Sequence, residues 1–228
     1  MPGLPSLDEY SLKTWLPAVI ESGGRDWFDI VNYHYYEDWE RFPLLRPQFQ
    51  AALQRLKIDD KPVWLTETGS SWNASNTAFT DYPNSPESQA ADIFRRVVQA
   101  WGHGDQLAEW HTYISSYDED GMWSAYGIRS ETGQPQSSLA AFKLLTSELV
   151  PFERVEKIAA DGRSENIYKV TTSAGEVKYV VWGKGTFTVP TGVSQQTSVI
   201  PPQSGNYVWG AIKAGEKVTL SPNPVVLK

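Results

Sequence analysis

The sequence contains no cysteine, which excludes disulfides, thiolate zinc sites and thiol catalysis. It has no cluster of Lys and Arg, and its net charge of −7 at pH 7 argues against a nucleic-acid partner, because binding phosphates requires a basic patch. No run of about 18 apolar residues is present, so no membrane span or membrane partner is expected. The first residues lack the basic and apolar regions of a signal peptide. Localisation stays open, and a secreted or periplasmic origin is compatible with the sequence.

Aromatic residues are abundant, with 10 Trp and 11 Tyr in 228 residues. Indole and phenol rings stack on the C–H faces of sugars and anchor other ligands at binding sites. The composition alone supports a carbohydrate or other ligand site and ordinary core packing about equally.

The first two-thirds of the chain alternate helical and strand patterns, which is typical of a parallel sheet wrapped by helices. The alternation predicts one α/β domain at residues 1–149. Its predicted helices cover 7–21, 47–57, 85–102 and 136–149, and its predicted strands cover 27–35, 63–66 and 107–117.

The pattern changes at Val150 to short alternating segments separated by turn signals such as Ser173-Ala174-Gly175. This predicts a small antiparallel β domain at residues 150–228. Its predicted strands cover 166–172, 177–182, 185–189, 207–212 and 217–220.

Polar and aromatic residues stand where the predicted parallel strands end. The first strand ends in His34 and Tyr36 and the second in Glu67. The third ends in His111, Tyr113 and Tyr117, with Trp110 alongside. In a parallel βα barrel the residues that perform chemistry lie at these carboxyl ends. A carboxylate directly after the apolar run VWLT needs polar partners or a functional setting. Position alone supports two roles for Glu67 equally: a functional role, and a structural role in a salt bridge or as a loop cap.

Four segments resemble clan A glycoside hydrolases, including the β-xylosidase and cellulase-like families. KPVWLTETG resembles the seventh barrel strand, which carries the catalytic nucleophile, and FDIVNYHYY resembles the strand before it. YGIRSETGQPQSSLAAFKLL resembles the segment after the last strand, and TLSPNPVVLK resembles the end of the β-sandwich that often follows such barrels. The four segments occur in the order that these families show, and they cover nearly the whole chain.

The resemblance implies an α/β fold in which a partial (β/α) barrel, with about its last three strands and four helices, precedes a small antiparallel β-sandwich. It also implies retaining hydrolysis of β-glycosidic bonds with Glu67 as the nucleophile. Tyr36 or Tyr33 is expected to donate a hydrogen bond to that carboxylate. The expected carbohydrate-binding residues are His34, Tyr36, Trp72, Trp110, His111 and Trp123. For each Trp, simple packing is the stronger alternative.

Other polar residues give weaker signals. Asp118, Glu119 and Asp120 are clustered but lack the Gly turn and the ligand spacing of a calcium loop, so neither a metal nor a cofactor is expected. His103, between Gly102 and Gly104 at a helix end, is expected at the surface.

The chain departs from the family in one respect. Clan members take the acid/base from an Asn-Glu pair at the end of the fourth strand, and no such pair precedes residue 27. Three parallel strands cannot close a barrel, so a missing segment, a complementing chain or a homo-oligomer is expected to cover the open sheet. The alternatives are a non-catalytic carbohydrate-binding or assembly module, and a scaffold whose open sheet binds a partner.

Overall fold

The computed structural model of the chain describes residues 3–75, 84–115, 125–160, 164–202 and 206–228. A π-helical turn at Ser11–Trp15 leads into the first helix, and 3-10 turns lie at Gly24–Trp27 and Trp39–Arg41. The helices are α1 (Leu16–Glu21), α2 (Phe42–Arg55), α3 (Pro86–Gly102) and α4 (Ser137–Leu149). The strands are β1 (Val31–Tyr35), β2 (Val63–Thr68), β3 (Leu107–Trp110), β4 (Phe152–Ala160), β5 (Glu165–Thr172), β6 (Val177–Gly183), β7 (Thr186–Thr188), β8 (Gln195–Ser198), β9 (Gly210–Ala211), β10 (Lys217–Thr219) and β11 (Val225–Leu227).

The first three strands form a parallel sheet in the order β1-β2-β3. Tyr33 and Tyr35 of β1 pack edge-on against Phe49 and Phe42 of α2, with ring centroids 5.1 and 5.0 Å apart. Leu4 extends the sheet beyond β1, because its N–H donates to Asn32 and its carbonyl accepts from His34. The fold class predicted from the sequence is confirmed: a parallel sheet with helices precedes an antiparallel region.

Helix boundaries agree with the sequence at α3 and differ at α2. Ser85 caps α3 as predicted, in a reciprocal capping box with Ser88. The predicted start of α2 at Pro47 is wrong: the helix begins at Phe42, with Pro43 in its first turn and Pro47 inside it. Proline is favoured in a first turn, and Pro43 takes that place.

The third strand is shorter than predicted and ends at Trp110. Beyond it the backbone pairs with a later segment, because Ile128 donates to Thr112 at 3.0 Å and Arg129 donates to Tyr113 at 3.0 Å. The peptide bond between His111 and Thr112 is cis. The residues after Trp110 therefore belong to a loop at the carboxyl end of the sheet.

The antiparallel region consists of a six-stranded sheet, β4-β5-β6-β11-β8-β9, and a two-stranded sheet, β10-β7. Apolar residues of both sheets share one core, including Ile167, Val181, Phe187 and Val218. The sequence did not predict β4, whose run FERVEKIAA carries two Glu, an Arg and a Lys. Such a charged strand is typical of a sheet edge, and β4 lies at one.

Helices α3 and α4 pack on the six-stranded sheet. A single cluster of buried residues includes Trp101 and Leu145 from the helices and Tyr168, Trp182 and Val226 from the strands. A methyl group on Gly102 would overlap the ring of Tyr168, so glycine at the end of α3 permits this close approach. The domain boundary at residues 149 and 150 stays a prediction.

Within the described ranges, none of the helices has both the length and the apolar character that crossing a bilayer requires.

Candidate active site

A β-bulge at Thr66 determines the direction of Glu67. Leu65 pairs with Tyr33 and Glu67 pairs with His34, so Thr66 is an extra residue that has no pairing partner on β1. Strict alternation from Leu65, which packs in the core beneath the helices, would turn Glu67 toward those helices. The extra residue reverses this and places Glu67 beside His34 on the opposite face.

That face is turned away from the helices and is here called the inner face. It carries Asn32, His34, Trp64, Glu67 and Leu107, as the strand registers show. The alternating burial of β1 fits this assignment, because Tyr33 and Tyr35 are buried while Asn32 and His34 are partly exposed. The side chain of Glu67 is 38% exposed. The inner face is thus accessible and largely polar where Glu67 stands.

Two side chains contact one oxygen of Glu67. The Tyr36 hydroxyl donates to Oε2 at 2.9 Å, and His34 Nδ1 lies 3.3 Å from the same oxygen. The other oxygen, Oε1, has no hydrogen-bond partner among the described residues. The carboxylate is therefore held from one side and open on the other.

Tyr36 is only 8% exposed and is packed between aromatic rings. Its ring meets those of His111 and Tyr126 edge-on, at 6.1 and 5.9 Å. Burial, followed by the hydrogen bond to Glu67, raises the pKa of Tyr36 well above its usual value. The hydroxyl therefore remains a proton donor to the carboxylate throughout the neutral range.

His111 lies at the same end of the sheet as Glu67. Its backbone N–H donates to the carbonyl of Thr68 at 2.8 Å, which brings the end of β3 against the end of β2. A methyl group on Gly69 would overlap the carbonyl oxygen of His111. Gly69 thus permits the loop after β2 to pass close to His111.

Of the predicted tryptophans, the structure describes Trp110 and Trp72. Trp110 is in register with Thr68, which directly follows Glu67, so Trp110 faces the helices. Its indole donates to the carbonyl of Tyr126 at 3.3 Å and lines a cavity of about 380 Å³ beside α4. Trp72 is half-buried, and its backbone N–H donates to the carbonyl of Ala125. Trp123 lies outside the described residues.

Tyr33 does not donate to Glu67. Its hydroxyl donates to Asp105 instead, in a buried cluster in which Arg46 Nη2 also donates to Asp105 at 2.7 Å. Asp105 precedes β3, so this cluster lies at the amino end of the sheet, away from Glu67. Of the two tyrosines that the sequence offered as alternative donors, Tyr36 donates to Glu67 and Tyr33 donates to Asp105.

His103 was also predicted incorrectly, since it is half-buried and its ring meets that of Phe42 edge-on at 5.6 Å. Burial, with smaller effects from Lys157 and Arg46, lowers its pKa from 6.5 to about 3.

Several residues that shape the site give little signal in the sequence. Thr66 is an ordinary strand residue in the sequence, and only the strand register identifies it as a bulge. Buried Gln89 donates to the carbonyls of Ser70, Ala125 and Tyr126, and so ties the loop after β2 to the loop after β3. Arg96 donates to the carbonyls at the end of β1.

Asp118, Glu119 and Asp120 lie outside the described residues, and within the described part no group of three His, Asp or Glu is placed to hold a metal ion.

Comparison with known proteins finds similarity in structure alone. No family model matches the sequence, and no curated protein matches it either. A family 39 glycoside hydrolase from Bacteroides cellulosilyticus superposes with a TM-score of 0.70 at 18% identity, over 95% of this chain and 47% of that one. A glucosidase from Croceicoccus marinus gives 0.61 at 11% identity, over 96% and 57%. A monomeric β-xylosidase from Caulobacter crescentus gives 0.51 at 12% identity, over 95% and 58%.

The chain thus has the fold of part of these glycoside hydrolases and spans about half the length of the structures it matches. At these identities the likeness concerns the fold.

Proposed function

We propose that the protein is a glycoside hydrolase that acts on β-glycosidic bonds with retention, and that Glu67 is the nucleophile. One observation supports this most strongly. The bulge at Thr66 turns Glu67 onto the accessible face, where Tyr36 and His34 contact Oε2 and leave Oε1 open. A carboxylate that is fixed and exposed in this way is suited to attack an electrophilic carbon.

In the proposed reaction Oε1 of Glu67 attacks the anomeric carbon. The bond from that carbon to the leaving oxygen breaks, and the electron pair stays on the leaving oxygen. Water then attacks the same carbon, the bond from that carbon to Oε1 breaks and the carboxylate is restored, so two inversions give net retention. The proton that the water loses balances the proton that the leaving oxygen takes up. Tyr36 holds the carboxylate in place, and His34 and His111 are the proposed contacts to sugar hydroxyls. No metal or cofactor has a role in this proposal.

The acid that protonates a poor leaving group is not provided by the family's Asn-Glu pair in this chain. In retaining enzymes the two carboxyl groups stand about 5 to 5.5 Å apart, so the acid must approach Glu67 over the inner face. We propose that a further segment, a complementing chain or a second copy of this chain covers that face. Without it, hydrolysis of unactivated glycosides is expected to fall by about 10² to 10⁴.

The structural neighbours support a proposal for the substrate class. They include a glucosidase and a β-xylosidase, so a β-glucoside or β-xyloside is the proposed substrate. The proposal for the site retains His34, Tyr36 and His111. Trp110 is left out because it faces the helices.

Covalent labelling tests the nucleophile and needs no acid. The reagents are the 2,4-dinitrophenyl 2-deoxy-2-fluoro-β-glycosides of xylose and glucose, whose leaving group departs unprotonated. One fluoroglycosyl group is expected on the peptide that contains Glu67, as peptide mass spectrometry would detect.

Glu67→Gln should abolish the labelling, whereas Glu109→Gln, which alters an exposed carboxylate on the neighbouring strand, should not. If a glycan binds and no label forms on Glu67, the non-catalytic carbohydrate-binding alternative is favoured. If the label appears on another carboxylate, the assignment of Glu67 is wrong.

Light scattering tests whether a second copy of this chain covers the inner face. A stable oligomer supports self-association, whereas a monomer of 25.6 kDa argues against a second copy and leaves a further segment or a complementing chain as the proposed cover.

A further inference from the structure

Three charged side chains of α3 are buried together. Asp92, Arg95 and Arg96 are 0%, 4% and 1% exposed. Arg95 Nη1 donates to one oxygen of Asp92 at 2.9 Å, and Arg96 Nε donates to the other at 3.5 Å. Two guanidinium groups share this carboxylate, so the remaining donors must find other acceptors away from water.

The two arginines find those acceptors in different parts of the molecule. Arg95 donates through Nε and Nη2 to the carbonyl of Pro222, in the turn between β10 and β11. Its guanidinium also lies 4.7 Å from the ring centroid of Trp39, and Trp39 packs edge-on against Trp182 of β6. Arg95 therefore joins α3 to the antiparallel region.

Arg96 joins α3 to the end of β1. It donates to the carbonyls of Tyr35 and Tyr36, each at 3.4 Å. The Tyr35 carbonyl also accepts from Thr68, the residue after Glu67, at 2.7 Å. Arg96 thus holds the backbone from which Tyr36 reaches Glu67.

We infer that Asp92, Arg95 and Arg96 are positioning residues, through which the seating of the 221–224 turn on α3 determines where Tyr36 holds Glu67. This inference rests on the proposed role of Glu67. It gives the antiparallel region a part in the chemistry at the carboxyl end of the parallel sheet.

The physical basis is the sharing of one carboxylate. If Arg95 is lost, Asp92 loses one of the two guanidinium groups that share it and draws Arg96 closer, because losing a donor is unfavourable for a buried carboxylate. The bonds from Arg96 to the Tyr35 and Tyr36 carbonyls are already long, so this movement breaks or lengthens them. Tyr36 is then free to withdraw from Glu67.

Arg95→Met tests the inference, because methionine keeps an apolar stem over Trp39 and removes the guanidinium. The matched control is Lys178→Met. Lys178 also joins a helix to the antiparallel sheet, through Glu148 of α4 at 2.9 Å, but it has no bond to Asp92. Arg95→Lys is a milder variant for the case that Arg95→Met does not fold, since lysine cannot reach Asp92 and Pro222 at once as the guanidinium does.

Two measurements are made on each variant. The first is the rate of Glu67 labelling by the dinitrophenyl fluoroglycosides at saturating reagent, which is expected to fall about tenfold in Arg95→Met because the carboxylate is misplaced. The second is amide hydrogen exchange in peptides that cover residues 33–38, which is expected to accelerate in Arg95→Met. Neither should change in Lys178→Met.

Equal labelling rates and equal exchange in Arg95→Met and the wild type would overturn the inference. So would equal effects of Arg95→Met and Lys178→Met, because they would indicate general loosening of the junction. If the wild type takes no label, the proposed function fails on its own. Hydrogen exchange then still decides whether Arg95 fixes the backbone of Tyr36.

Discussion

His34 and Glu67 face each other across β1 and β2 because one extra residue, Thr66, separates Glu67 from the regular alternation of its strand. The carboxylate is therefore presented to the inner face and not to the helices. Tyr36 reaches the same carboxylate oxygen from just beyond the end of β1. The geometry around Glu67 thus depends on the register of two strands as well as on the side chains present.

Tyr36→Phe should slow the labelling of Glu67 about tenfold, which corresponds to one hydrogen bond to a charged group. The ring would still pack against His111 and Tyr126, so the thermal midpoint should change little. The measurement is the labelling rate at saturating reagent. Tyr35→Phe is the control, since its hydroxyl donates to the carbonyl of Asp38 and does not contact Glu67. Equal rates in the two variants would show that Tyr36 does not hold the nucleophile.

Gly69→Ala should lower the free energy of unfolding by about 1 to 3 kcal/mol, because the new methyl group overlaps the carbonyl oxygen of His111. It should also slow labelling, since the loop after β2 must move away from the site. Urea denaturation measures the first effect. Gly210→Ala is the control, because its added methyl group meets little but the carbonyl of Gln196 at 3.9 Å. Unchanged stability in Gly69→Ala would contradict the close approach.

Asp105→Asn should lower the free energy of unfolding by about 3 to 5 kcal/mol, because it leaves the buried charge of Arg46 without its carboxylate. The cluster lies at the amino end of the sheet, so folded Asp105→Asn should be labelled at the wild-type rate. Urea denaturation and labelling on one sample give both values. A large loss of labelling with intact stability would assign this cluster to the site.

His103 should make stability depend on pH in weakly acidic solution. Its pKa is about 3 in the folded protein and 6.5 in the unfolded chain, so the unfolded chain binds a proton first as the pH falls. The contribution of neutral His103 to the free energy of unfolding is fully present above pH 6.5. It declines as the pH falls toward 3, by up to roughly 1.4 kcal/mol per pH unit.

His103→Gln removes this titration and keeps an uncharged polar side chain. Urea denaturation at pH 7, 6 and 5 should show a steeper decline for the wild type than for His103→Gln. Parallel declines would mean that folding does not lower the pKa of His103.

Much of the candidate site can be predicted from the sequence because the ends of the strands are visible in it. The apolar runs before His34 and Glu67 mark parallel strands, and parallel strands bring their carboxyl ends to one edge. The same pattern predicts the proximity of Tyr36 and His111. It gives no sign of the direction of a side chain beyond a bulge, because Thr66 is an ordinary residue for a strand.

Other features require the packing to be known. Asp92, Arg95 and Arg96 resemble the polar side of an amphipathic helix in the sequence. They are buried because β1, the 221–224 turn and Trp39 enclose α3 on that side. Trp110 stands at a strand end like His111, yet alternation turns it to the helices. Burial of His103 likewise arises from elements distant in the sequence, since Phe42 and Lys157 lie near it.

Gly102 permits α3 to press against Tyr168, and the core that forms there is continuous from the helices into the six-stranded sheet. A polypeptide that ended at Leu149 would leave Trp101 and Leu145 uncovered. We therefore expect the helices and the antiparallel strands to unfold together, so that calorimetry records a single heat-absorption peak whose calorimetric and van't Hoff enthalpies agree.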